Sequence, residues 1–332
     1  MEVTLSGFCD EVCESKNIDE QFGVFSALGM SYVTLRFLDV GNGIKNVMQL
    51  TGNELDLVRR KLDYYGISVS SLGSPIGKVK LLDFDDGTAN AFRPFDEYLE
   101  SEVKHAATLA KTLDTKLVRG FSFYHPRGTA ADEYLDLVSD RLKAIAEVFD
   151  SEGLTFGLEV EANLVGHTGE ILAELSRRAA HPALVLIFDG GNLVTQGFDT
   201  DSIFSQWQVM RDGLGWLHVK DYAADRMDKV RDGATAGWVD EEKLDRFVPV
   251  ELGDSGYERV FSDLKANHRD LMARLNRRGV DQIFVDLEPH LRQGGQFGGF
   301  SGPDGFGIAL RSLCQMLDRV GISYRLREFE SM

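Results

Sequence analysis

The chain has 332 residues, 43% of them hydrophobic and 27% charged, which is typical of a soluble globular protein, and no apolar run approaches the ~18 residues that span a membrane. Its net charge of -17 at pH 7 disfavours nucleic acid and acidic membrane surfaces as partners, because binding them requires Lys and Arg to neutralise phosphates. Three cysteines are too few for a disulfide framework, and the first residues lack a signal-peptide pattern, so we expect a cytoplasmic protein with reduced thiols.

Eight apolar runs alternate with eight segments of helical spacing along the chain. The runs predicted as strands are 3–8, 32–35, 67–72, 116–121, 157–161, 185–189, 216–221 and 283–288. The predicted helices are 18–28, 51–65, 95–113, 132–151, 169–180, 200–211, 257–278 and 308–320. Continuous apolar runs are typical of buried parallel strands, and this alternation favours a single (β/α)8 TIM barrel, an α/β fold, over residues 1–332. Two stretches rich in turn formers, 73–78 and 293–307, are predicted as loops.

The spacing of the strand ends lengthens before the last strand. Asp189 follows Glu159 by 30 residues and His218 follows Asp189 by 29, whereas Glu288 follows His218 by 70. The charged segment 224–247 supplies part of the excess, and long loops in compact domains are usually functional. We therefore expect 224–247 to be an inserted lid or interface arm between strands seven and eight.

Four of the predicted strands end in residues that bind divalent metals. These strand ends supply Glu159, Asp189, His218 and Glu288, and functional residues of a TIM barrel collect at this end of the strands. Three carboxylates and one imidazole make a mostly oxygen ligand set, which suits Mn²⁺, with Mg²⁺ and Co²⁺ as alternatives. Glu161 shares a strand face with Glu159 and remains open as the alternative ligand.

Such an ion would polarise a carbonyl and hydroxyl pair on a sugar, while a neighbouring carboxylate removes the adjacent proton to give an enediolate. Glu159 and Glu288 face each other across the predicted ion and are the candidate base and acid. Six polar side chains near the barrel mouth are the candidates for substrate contacts: Arg36, Lys78, Arg119, His125, Glu161 and Lys220. Lys220 is also predicted to pair with Asp286 and thereby hold His218 in place.

These motifs resemble the sugar phosphate isomerase/epimerase superfamily with a xylose-isomerase-like TIM barrel. The resemblance is carried by Leu158-Glu159, Phe188-Asp189, His218-Val219-Lys220-Asp221 and Leu287-Glu288-Pro289-His290. It implies that Glu159, Asp189, His218 and Glu288 hold the metal and that the two glutamates form the proton-transfer pair of a ketose 3-epimerase. The expected activity is therefore a metal-dependent isomerase or epimerase acting on a keto-sugar or sugar derivative.

The long link before Glu288 departs from the epimerases of this family. A second branch that the chain resembles is the catalytic subunit of bacterial C-glycoside lyases, which act on 3-oxo-glycosides with a histidine base and a small second subunit. His125, His167 and His290 are candidates for that base, and His290 is best placed because it follows the eighth strand. The expected partners are a small sugar and either a second copy of the chain or a small subunit. A non-catalytic sugar-binding barrel is the alternative from another class, whereas the charge disfavours a DNA-repair endonuclease.

Overall fold

The computed structural model describes residues 1–224, 239–294 and 299–328. Within these ranges, eight parallel strands form the barrel: β1 (Glu2–Gly7), β2 (Tyr32–Leu35), β3 (Ser68–Ile76), β4 (Leu117–Gly120), β5 (Thr155–Glu159), β6 (Leu184–Asp189), β7 (Leu214–Val219) and β8 (Phe284–Leu287). Each strand from β2 to β7 pairs with the strand that follows it in the chain, and β8 pairs with β1. A bridge between Phe8 and Thr34 brings β1 back to β2. The sheet therefore closes, and the structure confirms the predicted TIM barrel.

Helices on the outside connect the strands. They are α1 (Ile18–Ala27), α2 (Gly52–Tyr65), α3 (Lys104–Thr112), α4 (Leu135–Ser151), α5 (Gly169–Ala179), α6 (Thr200–Met210), α7 (Tyr257–Arg277) and α8 (Gly302–Val320), with short helices at Phe95–Tyr98 and Gly190–Val194. Local residues set their ends: the Asn17 side chain accepts the first free N–H groups of α1, and Gly66 ends α2 at a φ of 63° that favours glycine. Among the described helices, none has the length and apolar composition of a membrane span.

Two stretches predicted as loops are partly regular. Residues 73–76 continue β3, because Ile76 still pairs with Gly120 after an irregularity in the register. Gly73 allows this path, since a Cβ there would lie 2.8 Å from the Leu35 carbonyl oxygen. The predicted loop 293–307 is wrong at its end, because α8 begins at Gly302, where a proline in the first turn favours a helix start.

A polar layer fills the barrel interior below the strand ends. The hydroxyls of Ser6 and Ser70 lie 2.5 Å apart, and the Thr34 hydroxyl donates to Asp286 Oδ2 at 2.8 Å. All four side chains are buried. Buried polar groups need such partners, because an unpaired one loses the hydrogen bonds that water would supply. These contacts give Asp286 a structural role in the layer directly below the barrel mouth.

The ends of the predicted arm join the barrel beside β7. Its residues 225–238 lie outside the described part of the chain, so the predicted lid or interface arm is described only at its two ends. Asp221–Tyr222 pairs antiparallel with Phe247–Val248. The Asp221 Oδ1 atom accepts from the Tyr222 N–H at 2.9 Å, and from the N–H and hydroxyl of Ser255 at 3.0 and 2.6 Å. Asp221 thus fixes the loop from which the arm starts.

Asp221 is expected to make stability depend on pH. Burial raises the pKa of Asp221 to about 7, although its hydrogen bonds to Ser255 and Tyr222 oppose this. The folded state therefore binds this proton more tightly than the unfolded state, and the contribution of Asp221 to stability falls as pH rises from about 4 to about 7. An Asp221→Asn variant cannot titrate. Between pH 5 and 7 the stability of the wild type relative to this variant is expected to fall by about 2 kcal/mol.

Urea denaturation at both pH values measures this difference. The matched control is Asp212→Asn, which changes a fully exposed carboxylate in the turn before β7. Its stability relative to the wild type is expected to stay constant across the same interval. A constant difference for Asp221→Asn as well would contradict the raised pKa.

Candidate metal centre

The barrel brings four predicted ligands together at one end. Glu159 and Asp189 are the last residues of β5 and β6, His218 lies next to the end of β7, and Glu288 directly follows β8. Asp189 and His218 are partners in the register of β6 and β7. One ligand atom from each of the four residues lies within 4.8 Å of the others, and all four side chains are buried. Parallel strands with their carboxyl ends at one mouth produce this convergence.

Glu159 is held between a neutral amide and two basic side chains. Its Oε1 accepts from Asn192 Nδ2 at 3.3 Å and lies 3.1 Å from His218 Nδ1, and its Oε2 accepts from Arg119 at 3.3 Å. Burial alone would raise the pKa of Glu159, but the charges of His218 and Arg119 outweigh it and lower that pKa to about 2. Glu159 is therefore a carboxylate at neutral pH. Glu161 lies outside the cluster, and its Oε1 pairs with Lys78 Nζ at 2.8 Å, which favours Glu159 as the ligand.

The predicted pair between Lys220 and Asp286 is wrong. Lys220 Nζ lies 3.1 Å from Asp189 Oδ2 and 3.1 Å from Glu288 Oε2. Lys220 follows the end of β7 and reaches the ligand layer, whereas Asp286 lies within β8, one layer deeper, with its Oδ2 3.9 Å from His218 Nε2. Lys220 therefore does not position His218 through Asp286; instead, Trp216 Nε1 donates to His218 Nε2 at 3.3 Å.

The four residues fit a divalent cation. Among the described residues, Asp189 Oδ2 and His218 Nδ1 are buried without a hydrogen-bond partner of good geometry, although Lys220 lies beside Asp189 and Glu159 Oε1 lies 3.1 Å from His218 Nδ1. Burial raises the pKa of Asp189 to about 6 and the Glu159 and Glu288 carboxylates add to this, against the opposing charge of Lys220. A divalent ion would neutralise these charges. Metal–ligand distances in proteins are about 2.0–2.3 Å, so ligand atoms that shared one ion would lie no more than about 4–4.6 Å apart, which is close to the spacing of the four atoms here.

A cavity of about 340 Å³ opens above the cluster. Five of the six predicted substrate-contact residues line it: Arg36, Lys78, Arg119, Glu161 and Lys220. The sixth, His125, is buried elsewhere, with its Nδ1 3.2 Å from the Thr129 hydroxyl and its ring stacked on Tyr134. The substrate-contact prediction for His125 therefore has no support from the cavity. His167 is also outside the lining, and its Nδ1 contacts backbone carbonyls.

His290 lines the cavity and is held by a carboxylate that the sequence did not single out. Glu11 pairs closely with His290 Nδ1 and accepts the His290 backbone N–H at 3.2 Å and the Ser301 hydroxyl at 2.8 Å. His290 Nε2 lies 3.8 Å from Glu288 Oε1. Glu11 follows β1, as the predicted ligands follow their strands, so the same strand-end signal applied to the first strand would have found it. Glu241 also lines the cavity. It lies in a charged segment without helix or strand periodicity, so the sequence did not indicate it.

Fold and site together define a TIM barrel with a candidate metal centre at the carboxyl ends of its strands. The chain belongs to the xylose isomerase-like TIM barrel family, whose model matches residues 22–293. This confirms the resemblance seen in the strand-end motifs. No curated protein sequence matches the chain.

Solved structures with the same fold include enzymes. The chain is similar to the probable 3-DHS dehydratase AsbF involved in petrobactin synthesis from Bacillus anthracis, at 16% identity and a TM-score of 0.64 over 95% of this chain and 99% of that one. It is similar to the IolI protein with a binding zinc atom, at 14% identity and a TM-score of 0.64 over 96% of this chain and 99% of that one. It is also similar to D-psicose 3-epimerase with D-tagatose from Clostridium cellulolyticum H10, at 13% identity and a TM-score of 0.54 over 96% of this chain and 95% of that one. These identities establish a shared fold.

Proposed function

We propose that this protein is a divalent-metal-dependent isomerase or epimerase that moves a proton on the carbon next to the carbonyl of a keto-sugar or sugar derivative. The observation that carries the proposal is a pair of buried glutamates, Glu159 and Glu288, that share one four-residue cluster with Asp189 and His218 at the floor of the cavity. The epimerase and dehydratase with the same fold agree with this class of chemistry.

Glu159, Asp189, His218 and Glu288 are the residues that would hold the metal, with Mn²⁺ expected and Mg²⁺ or Co²⁺ as alternatives. When bound, the ion supplies Lewis-acid polarisation of a carbonyl and hydroxyl pair on the substrate. The protein keeps both glutamates ionised. Arg119 contacts Glu159, while Arg36 and Lys220 contact Glu288 and hold its pKa well below the usual range despite burial.

The proposed reaction needs two proton carriers. One glutamate takes the proton from the C–H next to the carbonyl, and the electron pair of that bond moves toward the carbonyl oxygen to give an enediolate. The other glutamate takes up a proton from solvent and delivers it to the opposite face of the same carbon, which inverts it, and the first glutamate then releases its proton to solvent. Lys220 lines the cavity with its Nζ 3.1 Å from Glu288 Oε2, and we assign it the role of stabilising the negative charge that develops on the substrate. Positioned cationic groups stabilise such charge in a water-poor site.

Solvent exchange tests this function directly. Mn²⁺-loaded protein is incubated in D₂O with D-fructose and with D-tagatose, and proton NMR follows each C–H signal. We expect deuterium at the carbon next to the carbonyl, together with the epimer or isomer that inversion or carbonyl migration produces. Apoprotein treated with a chelator is the control and should leave the signals unchanged. Binding of ketoses without exchange would instead support a non-catalytic sugar-binding barrel.

His290 favours a second candidate function, cleavage of a 3-oxo-glycoside with a small second subunit. Its Nδ1 is held by Glu11 while its Nε2 lies on the side of Glu288 in the cavity, which is a suitable arrangement for a histidine base. Release of the aglycone from a 3-oxo-glycoside would support this function. For either reaction we propose a cytoplasmic protein whose protein partner is a second copy of the chain or a small subunit.

A further inference from the structure

The outer part of the cavity carries an acidic side chain from the arm. Glu241 begins the short helical turn Glu241–Lys243 and lines the cavity beside Glu161 and Lys78. Neither Glu161 nor Glu241 belongs to the four-residue metal cluster. A substrate held at the cluster would therefore meet these two carboxylates with its other end.

Asn163 fastens this part of the arm to the barrel. Its Oδ1 accepts from the Val239 N–H at 2.7 Å, and its Nδ2 donates to the Val239 carbonyl oxygen and to Glu241 Oε1, both at 3.0 Å. Asn163 has a φ of 67°, a left-handed conformation that asparagine tolerates better than most residues. One side chain in the loop after β5 thus aligns the backbone at Val239 and orients the Glu241 carboxylate.

The charges around Glu241 disfavour a further anion. Burial and then the nearby Glu161 carboxylate raise the pKa of Glu241 to about 7, although Lys78 and Lys220 oppose the shift. Each of the four described lysine and arginine side chains that line the cavity lies within 3.3 Å of a carboxylate oxygen: Arg36, Lys78, Arg119 and Lys220. A phosphate would have to compete with these carboxylates for its cationic partners. Hydroxyl groups carry no charge and can donate to both carboxylates.

We propose that Glu241 is a substrate-binding residue that accepts hydrogen bonds from substrate hydroxyl groups, and that with Glu161 and Lys78 it selects an uncharged polyhydroxy carbonyl compound over its phosphate esters. Asn163 is the positioning residue that delivers Glu241 to the cavity. This inference rests on the proposed function, because it names the substrate class that the same site takes.

Isothermal titration calorimetry of the Mn²⁺-loaded full chain tests it without relying on turnover. The probes are D-fructose and D-tagatose, each compared with its 1-phosphate and 6-phosphate. The variants are Glu241→Ala, Glu241→Gln and Asn163→Ala. Asp245→Ala is the matched control, because Asp245 is an exposed carboxylate in the same segment that does not line the cavity. Metal content and thermal unfolding of every variant verify that the centre and the fold are retained.

We expect the wild type to bind at least one free ketose more tightly than its phosphates. Glu241→Ala and Asn163→Ala should each weaken ketose binding about tenfold, as the loss of a hydrogen bond to a charged acceptor does, while Asp245→Ala binds like the wild type. At pH 8, above the Glu241 pKa of about 7, Glu241→Gln should retain most ketose affinity but bind the phosphates more tightly, because one negative charge is gone.

Two results would contradict this inference and leave the proposed function standing. One is ketose affinity unchanged in Glu241→Ala, and the other is tighter binding of the phosphates than of the free sugars by the wild type. A metal-loaded wild type that binds none of these probes would instead contradict the proposed function, and the sugar-binding role of Glu241 with it. The unaltered affinity of the control variant separates a local effect from a general loss of structure.

Discussion

Asp189→Ala is expected to abolish retention of the divalent ion and to lower turnover by about 10³-fold or more, since the polarising charge and its geometry are lost together. Asp189 Oδ2 is buried within the cluster with no hydrogen-bond partner among the described residues, and with Lys220 Nζ 3.1 Å away as its charge partner, so this oxygen can bind a metal. Elemental analysis after dialysis should find about one ion per wild-type chain and none in the variant. Added Mn²⁺ should raise the unfolding temperature of the wild type alone, because a ligand that binds only the folded state stabilises it.

A matched control separates metal loss from helix capping. Asp189 Oδ1 also accepts the Asn192 N–H at 3.1 Å and so caps the short helix Gly190–Val194. Asp199 caps α6 in the same way, through the Ser202 N–H at 2.8 Å, but lies outside the cluster. Asp199→Ala should therefore lose a cap while keeping the ion. Retention of a full equivalent of metal by Asp189→Ala would contradict the assigned centre.

The sequence predicted the strand ends well because a parallel strand leaves a strong local pattern. Runs such as 185–189 are apolar until a single polar residue, and a barrel places every such ending at the same mouth. The sequence alone could place Asp189 beside His218 because both residues lie at the ends of such runs. The same reasoning placed Glu159 and Glu288. The loop predictions failed at Gly302 because composition alone does not reveal that a glycine and proline pair begins a helix.

The partners of the long side chains could not be predicted in the same way. Lys220 follows β7, which is the neighbour of the strand that carries Asp286, so a pair between them was a reasonable prediction. The lysine side chain is long and begins beyond the end of β7, however, and its amine therefore contacts Asp189 and Glu288 instead. Pairing of Glu11 with His290 joins residues 279 positions apart, and it depends on the closure of the barrel. Glu241 lies in a charged segment without periodicity, so only the contact with Asn163 reveals that it faces the cavity.

Replacing either cluster glutamate by glutamine should separate the two proton transfers. Glutamine keeps the shape of the side chain but cannot accept the proton, and general acid–base catalysis of this kind is worth about 10²–10⁴-fold in rate. In a two-carrier epimerase, each glutamate removes the proton from one of the two epimers. Glu288→Gln is therefore expected to abolish solvent exchange from one epimer and Glu159→Gln from the other, while both variants lose net epimerisation.

The comparison must allow for the second role of these glutamates as metal ligands. Measurements are therefore made at saturating Mn²⁺ and beside Asp189→Asn, which weakens ligation without removing either proposed proton carrier. Asp189→Asn should slow exchange from both epimers to a similar extent, since it affects the shared centre. Opposite epimer preferences in the two glutamine variants would then assign each glutamate to one face of the substrate carbon. Equal losses from both epimers in all three variants would contradict the two-carrier reaction, because they would leave Glu159 and Glu288 with metal binding as their common role.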